Sequence, residues 1–165
     1  YSLIKQSSAK GILSLTQEHG IGTLAYSPLA SGALTGKLFA LEGGGATGAH
    51  ASFRPANAKR INEAIRECIE PVANRLHVSI AQVSLAWLLH QQDVAAVVVG
   101  GSNPEQAIAN SAADEISLSP EAANRIGERF AQIRVDPAAS LGWNAAAKRI
   151  VMRAKRKLRK SFGPT

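Results

Sequence analysis

Residues 97–106 are the part of this sequence best suited to hold an anion. Val97, Val98 and Val99 run into Gly100-Gly101-Ser102 and then into Asn103-Pro104-Glu105-Gln106. Close backbone approach at the glycines and free N–H groups at a helix start both favour a phosphate. An ordinary strand-to-helix turn, with Asn103 capping the helix, is the alternative for the same residues. Two other glycine patterns do not qualify. Gly43-Gly44-Gly45-Ala46-Thr47-Gly48 fits G-x-G-x-x-G but follows no apolar strand. The run from Gly32 to Lys37 is one residue short of a Walker A loop and is followed by Leu38 where Ser or Thr should hold magnesium.

Other reactive side chains form no constellation. His19, His50, His77 and His90 are scattered and never reach metal-ligand spacing with one another or with Cys68. No G-x-S-x-G elbow occurs, and no Asp or Glu ends an apolar strand where an acid or base would be presented. Cys68 lies among Ile65, Ile69 and Glu70, as expected of helix packing. The motifs alone therefore offer a binding surface and no catalytic group.

The elements that position these residues follow from hydrophobic spacing. Residues 1–4 read as the end of a short strand, and 8–19 as a helix with Ile12, Leu13 and Leu15 on one face and Gly20 as its stop. Residues 21–26 form a short buried strand broken by Ser27-Pro28. The following stretch, 30–56, holds Gly32, Gly36, Gly43, Gly44, Gly45, Gly48 and Pro55, and is expected to be a mobile lid without regular structure. Helical spacing returns over 58–76, where Pro71 should kink or divide the helix. Ser79 and Gln82 form a capping box before an apolar helix that packs on both sides, and 94–99 is a fully apolar strand. Helices start again at Asn103-Pro104 and at Ser119-Pro120, the second running to about Ile133. This alternation implies an α/β fold with a parallel sheet joined by right-handed crossovers.

At 165 residues and 45% hydrophobic, the chain has the composition of a globular domain with a core, and neither disorder nor collagen fits. Its longest apolar runs fall short of the roughly 20 residues of a membrane helix. Eight of the 19 Lys and Arg lie between Lys148 and Lys160, where no acid occurs; removing those eight from the net +7 leaves −1. A nearly neutral body thus carries a cationic tail. The single cysteine suits a reducing, cytoplasmic setting, and the opening residues show no secretory pattern. Because Tyr1 stands in mid-pattern and the only methionine is Met152, an N-terminal portion is expected to be missing.

Leu24-Ala25-Tyr26-Ser27-Pro28-Leu29-Ala30-Ser31-Gly32-Ala33-Leu34-Thr35-Gly36-Lys37 strongly resembles the aldo-keto reductase superfamily. Ala81-Gln82-Val83-Ser84-Leu85-Ala86-Trp87-Leu88-Leu89 and Gly100-Gly101-Ser102-Asn103-Pro104-Glu105-Gln106 continue the match in the family's order, over about Tyr1 to Ile133. The resemblance implies the C-terminal part of a (β/α)8 TIM barrel from about the sixth strand: about three parallel strands with flanking helices in residues 1–135, and a basic tail in 136–165. A whole barrel takes about 250 residues. Three strands would leave two unpaired sheet edges and an uncovered core face, so the chain alone is expected to be unstable.

The family's activity is reduction of aldehydes or ketones with a nicotinamide cofactor, here expected to be NADPH, with NADH as the alternative. By resemblance, Tyr26 would lie against the nicotinamide, and Ser27, Pro28, Leu29 and Ser31 would line the ribose and pyrophosphate path. Lys37 and Arg54 would face the pyrophosphate, where a cation gives a charge-assisted bond, or else remain solvated surface charges. Gly100, Ser102, Gln106 and Asn110 would meet the adenosine 2′-phosphate and adenine. Many members carry Arg or Lys in place of Ser102 and Glu in place of Ala109, a departure that weakens the expected 2′-phosphate contact. The family's catalytic Asp, Tyr, Lys and His lie on early strands, upstream of anything in this chain, so no catalytic residue is expected here; the scattered histidines give no reason to expect a metal. A small carbonyl substrate is the expected partner of the full-length protein.

The tail does not resemble the family's usual ending. Ile150, Val151, Ala154 and Leu158 would line one face of a basic amphipathic helix able to contact an anionic membrane, a nucleic acid or an acidic partner. A solvated terminus or a scrambled coding end is the alternative, since no aromatic residues interleave with the basic ones. A rival to the enzyme reading is accordingly a non-catalytic barrel remnant that binds a nucleotide, or a partner through its tail.

Overall fold

The computed structural model describes residues 1–6, 10–41, 51–53, 55–92 and 94–135. The Gly43 to Gly48 pattern, Arg54 and the basic tail from 136 onward lie outside the described residues. The elements run in the order α1 (Lys10–Glu18), β1 (Thr23–Tyr26), α2 (Pro55–Ala64), α3 (Glu70–Leu76), α4 (Ile80–Leu89), β2 (Val94–Val98), α5 (Pro104–Ser111) and α6 (Pro120–Ala131). Short 3-10 turns at Ala30–Thr35 and Lys37–Leu41 follow β1, and a π-helical turn at Ile65–Ile69 joins α2 to α3. Among the described residues, no helix is long and apolar enough to cross a membrane.

The alternation of strands and helices produces the expected parallel pairing. β1 and β2 form a two-stranded parallel sheet, with Leu24 opposite Ala96, Ala25 opposite Val97 and Tyr26 opposite Val98. The register slips between Thr23 and Leu24, so Ala95 bulges. Gly22 accommodates the bulge, since a side chain there would place its Cβ 2.8 Å from that of Ala95. Because side chains alternate across a strand, Ala25 is buried under the helices while Leu24 and Tyr26 point the other way, 64% and 73% exposed.

Residues 1–4 do not form the expected strand. They turn, with an isolated bridge between Ser2 and Lys5, and Tyr1 N donates to the Tyr26 carbonyl at 3.1 Å. Two consecutive apolar residues cannot both face one side of a strand, and here both Leu3 and Ile4 enter the helical core. The Gln6 amide fixes this turn by donating to the carbonyls of Leu3 and Gly127, both at 3.0 Å. The described sheet therefore has two strands where about three were expected.

The core lies chiefly between the helices, with Val97 of β2 packed against it. Ile61, Ile65, Ile69, Val83, Leu88, Ile126 and Phe130 are fully buried together. As predicted, Ser79 caps α4 in a capping box with Gln82, and Ser119 caps α6. α4 packs on both sides, with residues 83–88 all buried. Its Trp87 indole N–H reaches the Ala123 carbonyl of α6 at 2.9 Å. α1, by contrast, leaves Ile12 and Leu15 more than half exposed, because no described element covers their side of the helix.

As expected, the helical run divides at Pro71: a π-helical turn separates α2 from α3, and the proline sits in the first turn of α3. A proline at 71 lacks the N–H that would bond the carbonyl of residue 67, and its ring crowds that carbonyl. The chain responds one turn earlier by widening, with the Glu70 N–H bonding to the Ile65 carbonyl across five residues. The Glu67 carbonyl is then met by the Arg125 guanidinium at 3.2 Å, while the Glu67 carboxylate takes Arg129. Both arginines lie on α6, so the widened turn is also where α6 docks.

Arg129 holds the Glu67 carboxyl below the ordinary carboxylate range, chiefly through that hydrogen bond. A group depressed in this way contributes its stabilisation in full above its unfolded value of about 4.3 and loses it as pH falls through the lower folded value. The urea midpoints of wild type and Glu67→Gln should therefore differ at pH 7, wild type higher, and converge as pH falls below about 4. A gap that is constant from pH 7 to pH 3 would contradict this.

Candidate functional site

The register of the sheet decides which loops meet. Because Tyr26 pairs with Val98 in parallel, β1 and β2 release the chain at the same edge, one into residues 27–41 and the other into 99–106. In an open parallel sheet this carboxyl edge is where ligands bind. The two segments singled out in the sequence thus come together through a pairing more than 70 residues apart in the chain.

Residues 27–41 of the β1 loop are strained and settle into 3-10 turns, while residues 42–50 of the expected lid lie outside the described residues. Ser27, Ala30 and Ser31 all hold left-handed backbone, with φ of 54°, 49° and 59°, and Gly32 follows at 91°. That conformation costs a residue with a Cβ roughly 1–2 kcal/mol. Backbone bonds from Ala30 to Ser27 and from Gly32 to Leu29, 3.1 and 2.9 Å, close the turns. The seven breakers predicted irregular structure over 30–56, but Ala30, Ala33, Leu34 and Leu38 are buried and pull residues 30–41 into 3-10 turns against the helices. Buried carbonyls in these turns receive side chains from that layer: Asn62 Nδ2 bonds the Leu38 carbonyl at 2.9 Å and Ser84 Oγ that of Leu34 at 3.2 Å. The Phe39 ring also lies 4.7 Å beneath the Arg66 guanidinium.

On the β2 side, Asn103 caps α5 through its side chain, accepting the Gln106 N–H at 2.9 Å, with Pro104 at the first helical position as expected. Gln106 and Asn110 do share one helix face, but both side chains bind the loop itself. Gln106 Oε1 accepts the Ser102 N–H at 2.8 Å, and Asn110 Nδ2 donates to the Gly100 carbonyl at 3.4 Å. They shape the turn, and a ligand approaching Ser102 meets an amide already engaged. Glu105 in the first turn adds a negative charge that suits the helix dipole.

Of the eleven residues expected to bind cofactor, Tyr26, Ser27, Ser31, Lys37, Gly100, Ser102 and Gln106 are exposed at this edge or on its loops. Leu29 and Asn110 are half-buried, Pro28 is buried beneath the turn, and Arg54 lies outside the described residues. The Lys37 stem passes over Gly32, whose missing Cβ would sit 3.7 Å from Lys37 Cδ. Tyr26 and Val98, neighbours across the sheet, form an exposed apolar platform, 73% and 50% exposed. An aromatic face beside strained turns bearing hydroxyls and a cation suits a planar ring attached to a phosphorylated chain. Among the described residues, no group of three or more His, Cys, Asp or Glu could hold a metal.

Titration is displaced chiefly in the helical layer. Burial pushes the Tyr1 phenol and the Cys68 thiol up, and both belong to the helical layer: Tyr1 lies 5.9 Å from the Trp87 ring and Cys68 sits in the π-helical turn. Sequence reasoning missed Asn62 and Ser84. Their one signal is a polar residue on a buried helix face, which names no partner until the β1 loop is in place.

Comparison with known proteins places these features. Residues 1–129 match the family described as "Aldo/keto reductase family". The chain is 32% identical over 120 residues to the "NADH-specific methylglyoxal reductase" of Escherichia coli (strain K12), covering 72% of this chain and 36% of that protein. It is 31% identical to the "L-glyceraldehyde 3-phosphate reductase" of Escherichia coli O157:H7, over 79% of this chain and 40% of that protein. It is also 30% identical to the "Probable voltage-gated potassium channel subunit beta" of Oryza sativa subsp. japonica, over 76% of this chain and 40% of that protein. The chain thus spans two-fifths or less of the length of these relatives.

The strain in the β1 loop is directly measurable. Ser31 is exposed and left-handed, so Ser31→Gly should raise stability by roughly 0.5–1 kcal/mol, the relieved strain exceeding the added entropy of the unfolded chain. An unchanged or lower urea midpoint would contradict the loop geometry.

Proposed function

Because the chain belongs to the aldo/keto reductase family, we propose that it is the nicotinamide-cofactor-binding part of an oxidoreductase that reduces aldehydes or ketones. In this reading residues 1–135 are the C-terminal portion of a (β/α)8 barrel, from about the sixth strand, and 136–165 are an appended basic tail. The observation that carries it is the parallel register of Tyr26 with Val98, which joins the two motif-bearing loops at one carboxyl edge. The uncovered sheet face bearing Leu24, Tyr26 and Val98 suits the inward surface of a barrel whose other strands lie elsewhere in the protein.

The roles are those the resemblance implies, and the residues' chemistry fits them. Tyr26 offers its ring as a flat support for the nicotinamide, leaving the opposite face open to substrate. Ser27, Leu29 and Ser31 line the path of the ribose and pyrophosphate, and buried Pro28 holds the turn from below. Lys37 opposes the phosphates, as does Arg54 by the resemblance. Gly100 and Ser102 meet the adenosine end, with Gln106 and Asn110 holding their loop in shape. The bound cofactor supplies hydride, and the proton donor belongs to residues upstream of this chain.

NADPH is the cofactor the family resemblance implies. Binding of NADH is favoured by the chain's own charges, because residues 76–124 contain no Lys or Arg and five acids, leaving no cation on α5 or its loop for a 2′-phosphate.

Fluorescence titration of the 165-residue chain with NADPH and with NADH tests the reading. Saturable binding of at least one is expected, weakened up to about tenfold by Tyr26→Ala as the ring stack is lost. A folded chain that binds neither would overturn the proposal. Oxidation of cofactor by the chain with an aldehyde would contradict the placement of the catalytic groups upstream.

A further inference from the structure

The β1 loop holds left-handed residues at Ser27, Ala30 and Ser31 within five positions of a strand end. Strain of this kind persists only where the surroundings over-determine it. The loop's own hydrogen bonds are short-range and close the strained turns. Two helices of the core bond it from outside, at the carbonyls of Leu34 and Leu38 just beyond those turns.

Asn62 is fully buried on α2, a site where an amide is costly unless it is bonded. Its Nδ2 donates to the Leu38 carbonyl at 2.9 Å, and Leu38 is itself fully buried. Ser84 on α4 reaches the Leu34 carbonyl at 3.2 Å while also bonding its own helix at Ile80. A hydroxyl has one proton to share between those acceptors, so Asn62 is the firmer of the two holds. Lys37 lies between the held positions, immediately before Leu38, with its stem over Gly32. Fixing the carbonyls at 34 and 38 fixes the direction in which this cation leaves the loop.

We propose that Asn62, seconded by Ser84, is a positioning residue that holds the strained β1 loop so that Lys37 faces the phosphates of a bound dinucleotide. The inference rests on the cofactor-binding reading above and adds the residues that set the site from behind. The helical layer then does more than cover the sheet, since it carries the polar contacts that keep the loop ready for ligand before ligand arrives.

A double-mutant cycle on the 165-residue chain, read as the dissociation constant of NADH and of NADPH, tests this. Lys37→Met should weaken binding about tenfold in the wild-type background. In an Asn62→Leu background, which keeps the volume and removes the amide, the same change should cost less than about twofold. A merely structural Asn62 would leave the effect of Lys37→Met intact, and independent effects that multiply would overturn the proposal. Ser84→Ala loses one oxygen from a helix and gains helix propensity, so it keeps the fold and serves as the second background, with a smaller coupling of the same sign. Binding that ignores Lys37→Met in wild type would also overturn it. Failure of the folded wild-type chain to bind either dinucleotide would instead refute the cofactor reading itself.

Discussion

Parallel pairing of β1 with β2 is the constraint on which the other features depend. Parallel strands cannot be joined by a hairpin, so the chain between them must cross back along the sheet, and here it does so through α2, the π-helical turn, α3 and α4. That crossover covers one face of the sheet and leaves the other open. It also brings the carboxyl ends of two strands side by side. One contact, Tyr26 opposite Val98, therefore produces both the loop cluster and the uncovered apolar platform next to it.

The helical layer has to hold itself together before it can hold anything else. Proline at 71 would disturb a regular helix, yet the widened turn frees the Glu67 carbonyl for Arg125 and presents the carboxylate to Arg129. A local defect becomes the seat of α6. From the same layer Asn62 and Ser84 extend to the β1 loop. The packed core thereby bonds a loop whose own sequence is rich in breakers.

Local signals were legible and distant ones were not. Ser79 with Gln82, Asn103 with Pro104 and Ser119 with Pro120 each carry a cap within four residues, and each begins a helix where the sequence places it. Both apolar strands are likewise present, but the first, expected to be buried, starts at Thr23 and buries only Ala25, because its other face is left open. The chain matches the family that the loop motifs resemble. Residues 1–4 read as strand because their apolar content is visible, whereas their burial among helices depends on Gln6 meeting Gly127 of α6. The same holds for 30–41, where glycines signalled irregular structure and the buried Leu34 and Leu38 signalled nothing without their partners. Gln106 and Asn110 were correctly put on one face of a helix, but which way their amides turn depends on the loop beside them.

The central claim is that two loops, joined by a single strand pairing, act as one cofactor site. Amide chemical-shift mapping of the isotope-labelled 165-residue chain during titration with NADH and NADPH tests it most directly. The account predicts shifts in both residues 26–37 and residues 99–110 that saturate at one common ligand concentration, with α6 unmoved. Shifts confined to one loop, or centred on the helical layer away from the strand ends, would contradict it.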